Sequence, residues 1–152
     1  MTKLGPLAAL GLALVGCAGS ATYPTRPSSY VPRVVPVGRN VRLEGQAQFL
    51  SPTRLAIVTW GSGSCPTVPD RVTVVSPDSI RIHLVTGSWR TEGTREVLVA
   101  HLPPEGACTA DLRTTQMAVA IDPNRIDVHR RLTIRLYYRD SKKPATVTAP
   151  PL

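Results

Sequence analysis

Short alternating strands, separated by proline and glycine, leave this chain few ways to fold. Val41, Leu43, Gly45, Ala47 and Phe49 would share one face of an extended segment, with Arg42, Glu44, Gln46 and Gln48 on the other. That period of two marks a half-buried strand. Ser51-Pro52-Thr53 is a turn signal. Residues 54–60 are apolar at nearly every position, as a central strand covered on both faces requires. Residues 71–75 form a third run. In residues 80–85, Ile80, Ile82 and Leu84 alternate with Arg81, His83 and Val85 as a fourth. Residues 87–93, which include Trp89, read as a loop. Residues 96–102, 116–121 and 132–138 supply three more strands, and 145–149 a short edge. No stretch carries a helical period with caps at both ends; residues 111–117 read as one turn of helix or a continued strand. About seven strands at roughly ten-residue spacing predict an all-β fold, an antiparallel β-sandwich of immunoglobulin-like architecture. A small closed β-barrel is the alternative, because strand patterns alone do not distinguish closure from two packed sheets.

The first residues follow a different rule. Lys3 precedes an apolar run over residues 4–15, which is too short for the roughly 20 residues that span a bilayer as a helix. A positive start, an apolar middle and a small-residue end make a secretory signal. The end, Leu14-Val15-Gly16-Cys17, resembles the lipobox of bacterial lipoproteins, and Ala18-Gly19-Ser20 is a small, flexible continuation. The resemblance implies that Cys17 takes a diacylglycerol on sulfur, that residues 1–16 are removed, and that the new amine is acylated. Two or three acyl chains anchor firmly where one binds marginally. The expected location is extracytoplasmic, on the outer face of the cell membrane.

Residues 17–39 hold Pro24, Pro27, Pro32 and Pro36 with no sustained period. Proline fixes φ and removes donors, so the segment is expected to be an extended tether. At about 3.1 Å per residue it reaches up to about 70 Å. Val31, Val34, Val35 and Val37 are more apolar than a linker requires, which suggests that part of it lies against the domain. The division is then a signal peptide at 1–16, a tether at 17–39 and a sandwich domain at 40–149.

With Cys17 assigned to lipid, Cys65 and Cys108 remain, and in an exported protein a disulfide is the default reading of such a pair. The bond would pin a loop at one end of the sandwich. Gly61 and Gly63 tolerate positive φ, so Gly61-Ser62-Gly63-Ser64 before Cys65-Pro66 is expected to form a rigid turn whose amides could hold an anion. Trp60-Gly61-Ser62-Gly63-Ser64-Cys65-Pro66 together with Cys108-Thr109-Ala110-Asp111-Leu112-Arg113-Thr114-Thr115 resembles a group of uncharacterised secreted lipoproteins from actinobacteria. Only these two motifs are specific. The resemblance implies a location and the same cysteine pair, and it brings no activity.

No catalytic constellation stands out. Gly61-Ser62-Gly63-Ser64-Cys65 has the wrong register for a G-x-S-x-G elbow, and no helix follows it. His83, His101 or His129 would have to supply a base to Ser62 or Ser64. The three histidines lie far apart, and Asp122-Pro123-Asn124-Arg125-Ile126-Asp127 reads as a turn, with proline and arginine spoiling a calcium loop. No metal and no cofactor is called for. The chain carries +8; loss of Lys3 with the signal leaves 17 basic against 10 acidic residues. That balance favours acidic partners. A solvated, arginine-rich surface is the plainer reading. Arg130, Arg131, Arg135, Tyr137, Tyr138 and Arg139 come nearest to a nucleic-acid face, with Arg135 and Tyr137 outward and Tyr138 inward. An extracytoplasmic protein has little access to nucleic acid.

The expected function is therefore a membrane-anchored binding or scaffolding lipoprotein rather than an enzyme. The candidate contacts are Trp60, Ser62, Ser64, Trp89, Arg135 and Tyr137, and the partners are the membrane and an acidic envelope polymer or protein. The alternatives are an envelope hydrolase using Ser62 or Ser64, and a small sensor or inhibitor that works through a protein partner.

Overall fold

The computed structural model describes residues 23, 26–38, 41–100, 108–139 and 141–152. The lipobox with Cys17, the signal peptide, and His101 with the proline-rich stop after it lie outside the described residues. Ten strands are present among those described, and no helix. They form two sheets packed face to face, a β-sandwich.

The four-stranded sheet contains β2 (Val34–Pro36), β3 (Ala47–Ser51), β4 (Arg54–Gly61) and β8 (Arg113–Ala120), in the order β2-β8-β4-β3, all antiparallel. The six-stranded sheet contains β1 (Ser28–Tyr30), β5 (Thr67–Ser76), β6 (Ser79–Glu92), β9 (Leu132–Tyr138) and β10 (Ala145–Ala149), in the order β1-β5-β6-β9-β10. Its sixth strand, β7 (Arg95–Ala100), pairs with the far half of β6. One pair, β6 with β9, is parallel. Between these two in sequence come β7, which stays on β6, and β8, which belongs to the other sheet.

The period of two sets the core. In the six-stranded sheet, Tyr30, Val72, Ile82 and Leu136 form one inward row, and Val74, Ile80, Ile134 and Val147 the next. The other sheet answers with Ala47, Ile57 and Met117, then Phe49, Leu55, Val119 and Val34. Leu55, Ile57, Ile80, Ile82, Leu84, Met117, Leu132 and Ile134 are all fully buried. Each contributes about 1.5–3 kcal/mol of burial.

Three expectations need correction. The segment assigned to the tether enters the domain at residue 28: β1 pairs with β5 and β2 pairs with β8, so the domain does not start at 40. Between them Pro32 is buried, and the Tyr30 hydroxyl donates to the Ala120 carbonyl of the opposite sheet at 3.1 Å. Burial first, and then Asp122, pushes the Tyr30 phenol up to about 12. Arg125 fixes the same strap, bonding Ser28 Oγ at 2.9 Å. The first strand over 40–49 is shorter than its alternation suggests: only Ala47 onward pairs, because Gly45, at φ +129°, breaks the extended run. The expected loop over 87–93 is instead the outer half of the 14-residue β6, with the turn at Gly93 (φ +63°). Gly87 is present for close approach: a Cβ there would lie 2.7 Å from the Val68 side chain and 2.9 Å from the Val99 carbonyl.

Candidate functional site

The β4–β8 ladder ends at the pair Gly61 and Arg113, and the two strands then run on as loops. Cys65 and Cys108 join those loops by a disulfide, Cα atoms 5.5 Å apart and 43 residues apart in sequence. Such a bond points to an oxidising compartment. It has company. The Ser64 hydroxyl accepts from the Thr109 amide at 2.9 Å and lies 3.2 Å from the Thr109 hydroxyl. The Gly63 amide donates to Asp111 Oδ1 at 3.1 Å, the Thr109 hydroxyl donates to the same oxygen, and Arg113 Nε meets Oδ2 at 2.5 Å. Within the turn, the Ser62 hydroxyl accepts from the Cys65 amide at 2.9 Å, and the Ser62 amide donates to the Cys65 carbonyl at 3.2 Å.

The turn is rigid as expected, but for a different reason. Gly61 and Gly63 do not have positive φ. A Cβ on Gly61 would lie 2.7 Å from the Thr67 amide nitrogen, and one on Gly63 2.7 Å from Asp111 Oδ2. Close packing against backbone, not handedness, requires glycine at 61; at 63 a side chain would displace the Asp111 carboxylate. The amide expected to hold an external anion holds Asp111 instead. The Thr109 hydroxyl, then the Gly63 amide, then Arg113 pull that carboxyl down to about 2. Ser62 and Ser64 are spent on hydroxyl, amide and sulfur partners, and no described histidine bonds either of them. His83 is bound to Asp70 at 2.8 Å on another face.

The other candidate residues are dispersed. Trp60 stands on the outer face of the four-stranded sheet, about half exposed, and Leu112 beside the staple is 74 % exposed. Trp89 is partly exposed on the outer half of β6. The Gly87 amide, two residues before it, donates to the Pro66 carbonyl at 2.7 Å and ties that arm to the stapled end. At the same end the buried Thr59 hydroxyl donates to the Thr67 carbonyl at 2.6 Å. Tyr138 points inward against the core, and burial raises its phenol, offset in part by the Trp60 amide.

Arg135 and Tyr137 point outward on the six-stranded sheet, and there the register adds residues that the alternation alone did not connect. Arg135 stands beside Arg81 on the parallel neighbour, with Thr73 and Thr146 continuing the row. Tyr137 stands beside His83, which faces Arg71. Strand spacing puts the Arg81 and Arg135 backbones about 4.8 Å apart. Among the described residues, neither arginine has a carboxylate partner; the ion pairs there are His83–Asp70, Arg113–Asp111 and Arg125–Asp122. Adjacent like charges on a sheet destabilise it. The face is thus basic at Arg81 and Arg135, carries one tyrosine, and is bordered by hydroxyls at Ser29, Thr73, Thr133, Thr146 and Thr148. Arg81 and His83 were already visible on the alternating face of their strand; only the unexpected parallel pairing of β6 and β9 brings them beside Arg135 and Tyr137.

No group of three or more acidic, histidine or cysteine side chains among the described residues is placed to hold a metal ion. No family model, curated protein or solved structure matches the chain.

Proposed function

We propose that the protein is a lipid-anchored binding module of the cell envelope, held through Cys17, whose contact surface is the outer face of the six-stranded sheet. The ligand class is an extended acidic polymer. The observation that supports this most is the Arg81–Arg135 pair, two cations side by side without an internal anion among the described residues. An external anion bridging them would relieve their repulsion, and arginine forks suit phosphate and carboxylate. Arg71, His83 and Tyr137 extend the contact along the strands. A row of side chains running along neighbouring strands suits an extended polymer better than a small molecule, which needs enclosure.

The test is retention of the full-length chain on immobilised inorganic polyphosphate at low salt. The double variant Arg81→Gln/Arg135→Gln is expected to elute at lower salt, with affinity reduced at least tenfold. Arg42→Gln, an exposed position in the segment before β3, is expected to elute with the wild type. Wild-type retention by the double variant would refute the proposal.

A further inference from the structure

The outer face of the other sheet carries a feature that this reading does not use. Its rows can be taken directly from the register. Arg33, Ala120 and Arg54 stand in line across β2, β8 and β4: Arg54 pairs with Ala120, and the Ala120 amide donates to the Arg33 carbonyl at 3.0 Å. The next row is Val35, Ala118, Ala56 and Gln48, and the third holds Gln116 and Val58. Ala120 and Ala118 thus run down β8 between longer side chains. Their short side chains leave a groove of about 460 Å³ lined by Arg33, Val35, Arg54, Ala118 and Ala120, closed at one end by Thr53 and Ile121. That is within the roughly 300–1,000 Å³ of small-molecule sites.

The charge at the head of the groove is unopposed. No acidic residue lines it, and neither Arg33 nor Arg54 has an ion pair among the described residues. The nearest carboxylate beyond Ile121, Asp122, is engaged by Arg125 at 3.3 Å. Two strand spacings separate the arginine backbones, about 10 Å. Side chains of that length can close on one anion from both sides. Below that anion Val35 gives an apolar wall and Ala118 the floor.

We infer that this groove is a second binding site, for an amphiphile with one phosphate head. The head sits between Arg33 and Arg54 over Ala120, and the apolar tail lies along Val35 and Ala118. A bare anion would leave that track unused, and a neutral amphiphile would leave both guanidinium groups unpaired.

Calorimetry on the full-length chain with octyl phosphate, octyl glucoside and inorganic phosphate tests this, with amide shifts read at Ala118 and Ala120. Octyl phosphate should bind and move both amides. The other two probes should bind at least tenfold more weakly. Arg33→Gln and Arg54→Gln should each weaken octyl phosphate tenfold or more while melting with the wild type. Both side chains are exposed, so folding is not at stake. Arg81→Gln/Arg135→Gln should leave this binding unchanged, which separates it from the polymer-binding face. Equal binding of inorganic phosphate, no binding of octyl phosphate, or binding untouched by both groove substitutions would each overturn the inference.

Discussion

At the scale of single residues, Asp111 ties the two loops of the stapled end together. Three different elements give it a donor: the Gly63 amide, the Thr109 hydroxyl and Arg113. Its carboxyl is lowered from 3.8 to about 2, by the Thr109 hydroxyl first. A depressed carboxylate favours the folded arrangement above its unfolded pKa, and that advantage fades as pH falls through the folded one. The stapled turn is therefore expected to hold from neutral pH down to about 4 and to loosen between about 4 and 2. Proton NMR of the Gly63 amide should titrate with a midpoint near 2, and Asp111→Asn should abolish that titration. A midpoint near the ordinary carboxylate value would show that the network does not form. The residues of this network lie within the two motifs singled out in the sequence, but their roles were not legible there. The glycines suggested a nest for a foreign anion. That an aspartate 48 residues away fills it depends on where β8 begins, and no local pattern encodes that.

At the scale of elements, the disulfide and the strap hold the sandwich at different places. The disulfide closes 43 residues of separation, for which chain entropy gives about 4 kcal/mol. Cys65→Ser/Cys108→Ser is expected to lose about that much in urea unfolding, with the fold retained at low denaturant. A loss under about 1 kcal/mol would indicate that the hydrogen bonds around the staple suffice alone. The strap is fastened by Tyr30, whose hydroxyl crosses to the Ala120 carbonyl. Tyr30→Phe is expected to cost about 1 kcal/mol, the net worth of a typical internal hydrogen bond. The strands over 80–85, 132–138 and 145–149 were legible from their alternation, and 54–60 from its nearly continuous apolar run. The strap was not, because three-residue strands are too short to show a period. Its prolines read as linker, whereas Pro32 is packed and Pro36 sits at an edge, where a missing donor costs nothing. The outer half of β6 was missed for a related reason. Ser88, Trp89, Arg90, Thr91 and Glu92 show no alternation, and the close approach at Gly87 looks like a loop signal when read locally.

At the scale of the whole molecule, the two outer faces of the sandwich differ in chemistry, while their inner faces share one core. One is basic, with arginines on neighbouring strands; the other is grooved, with alanines between separated arginines. The net charge visible in the composition was a weak guide, since it said nothing of where the cations gather. Sandwich topology does the gathering, by bringing β6 beside β9 across about 50 residues. The most direct test of the basic face is an amide-shift titration of the full-length chain with short-chain inorganic polyphosphate. The account predicts shifts concentrated at Arg71, Arg81, His83, Arg135 and Tyr137, with the stapled turn at Ser62, Gly63 and Ser64 unmoved. Shifts confined to the stapled turn, or none at these five residues at saturation, would contradict it.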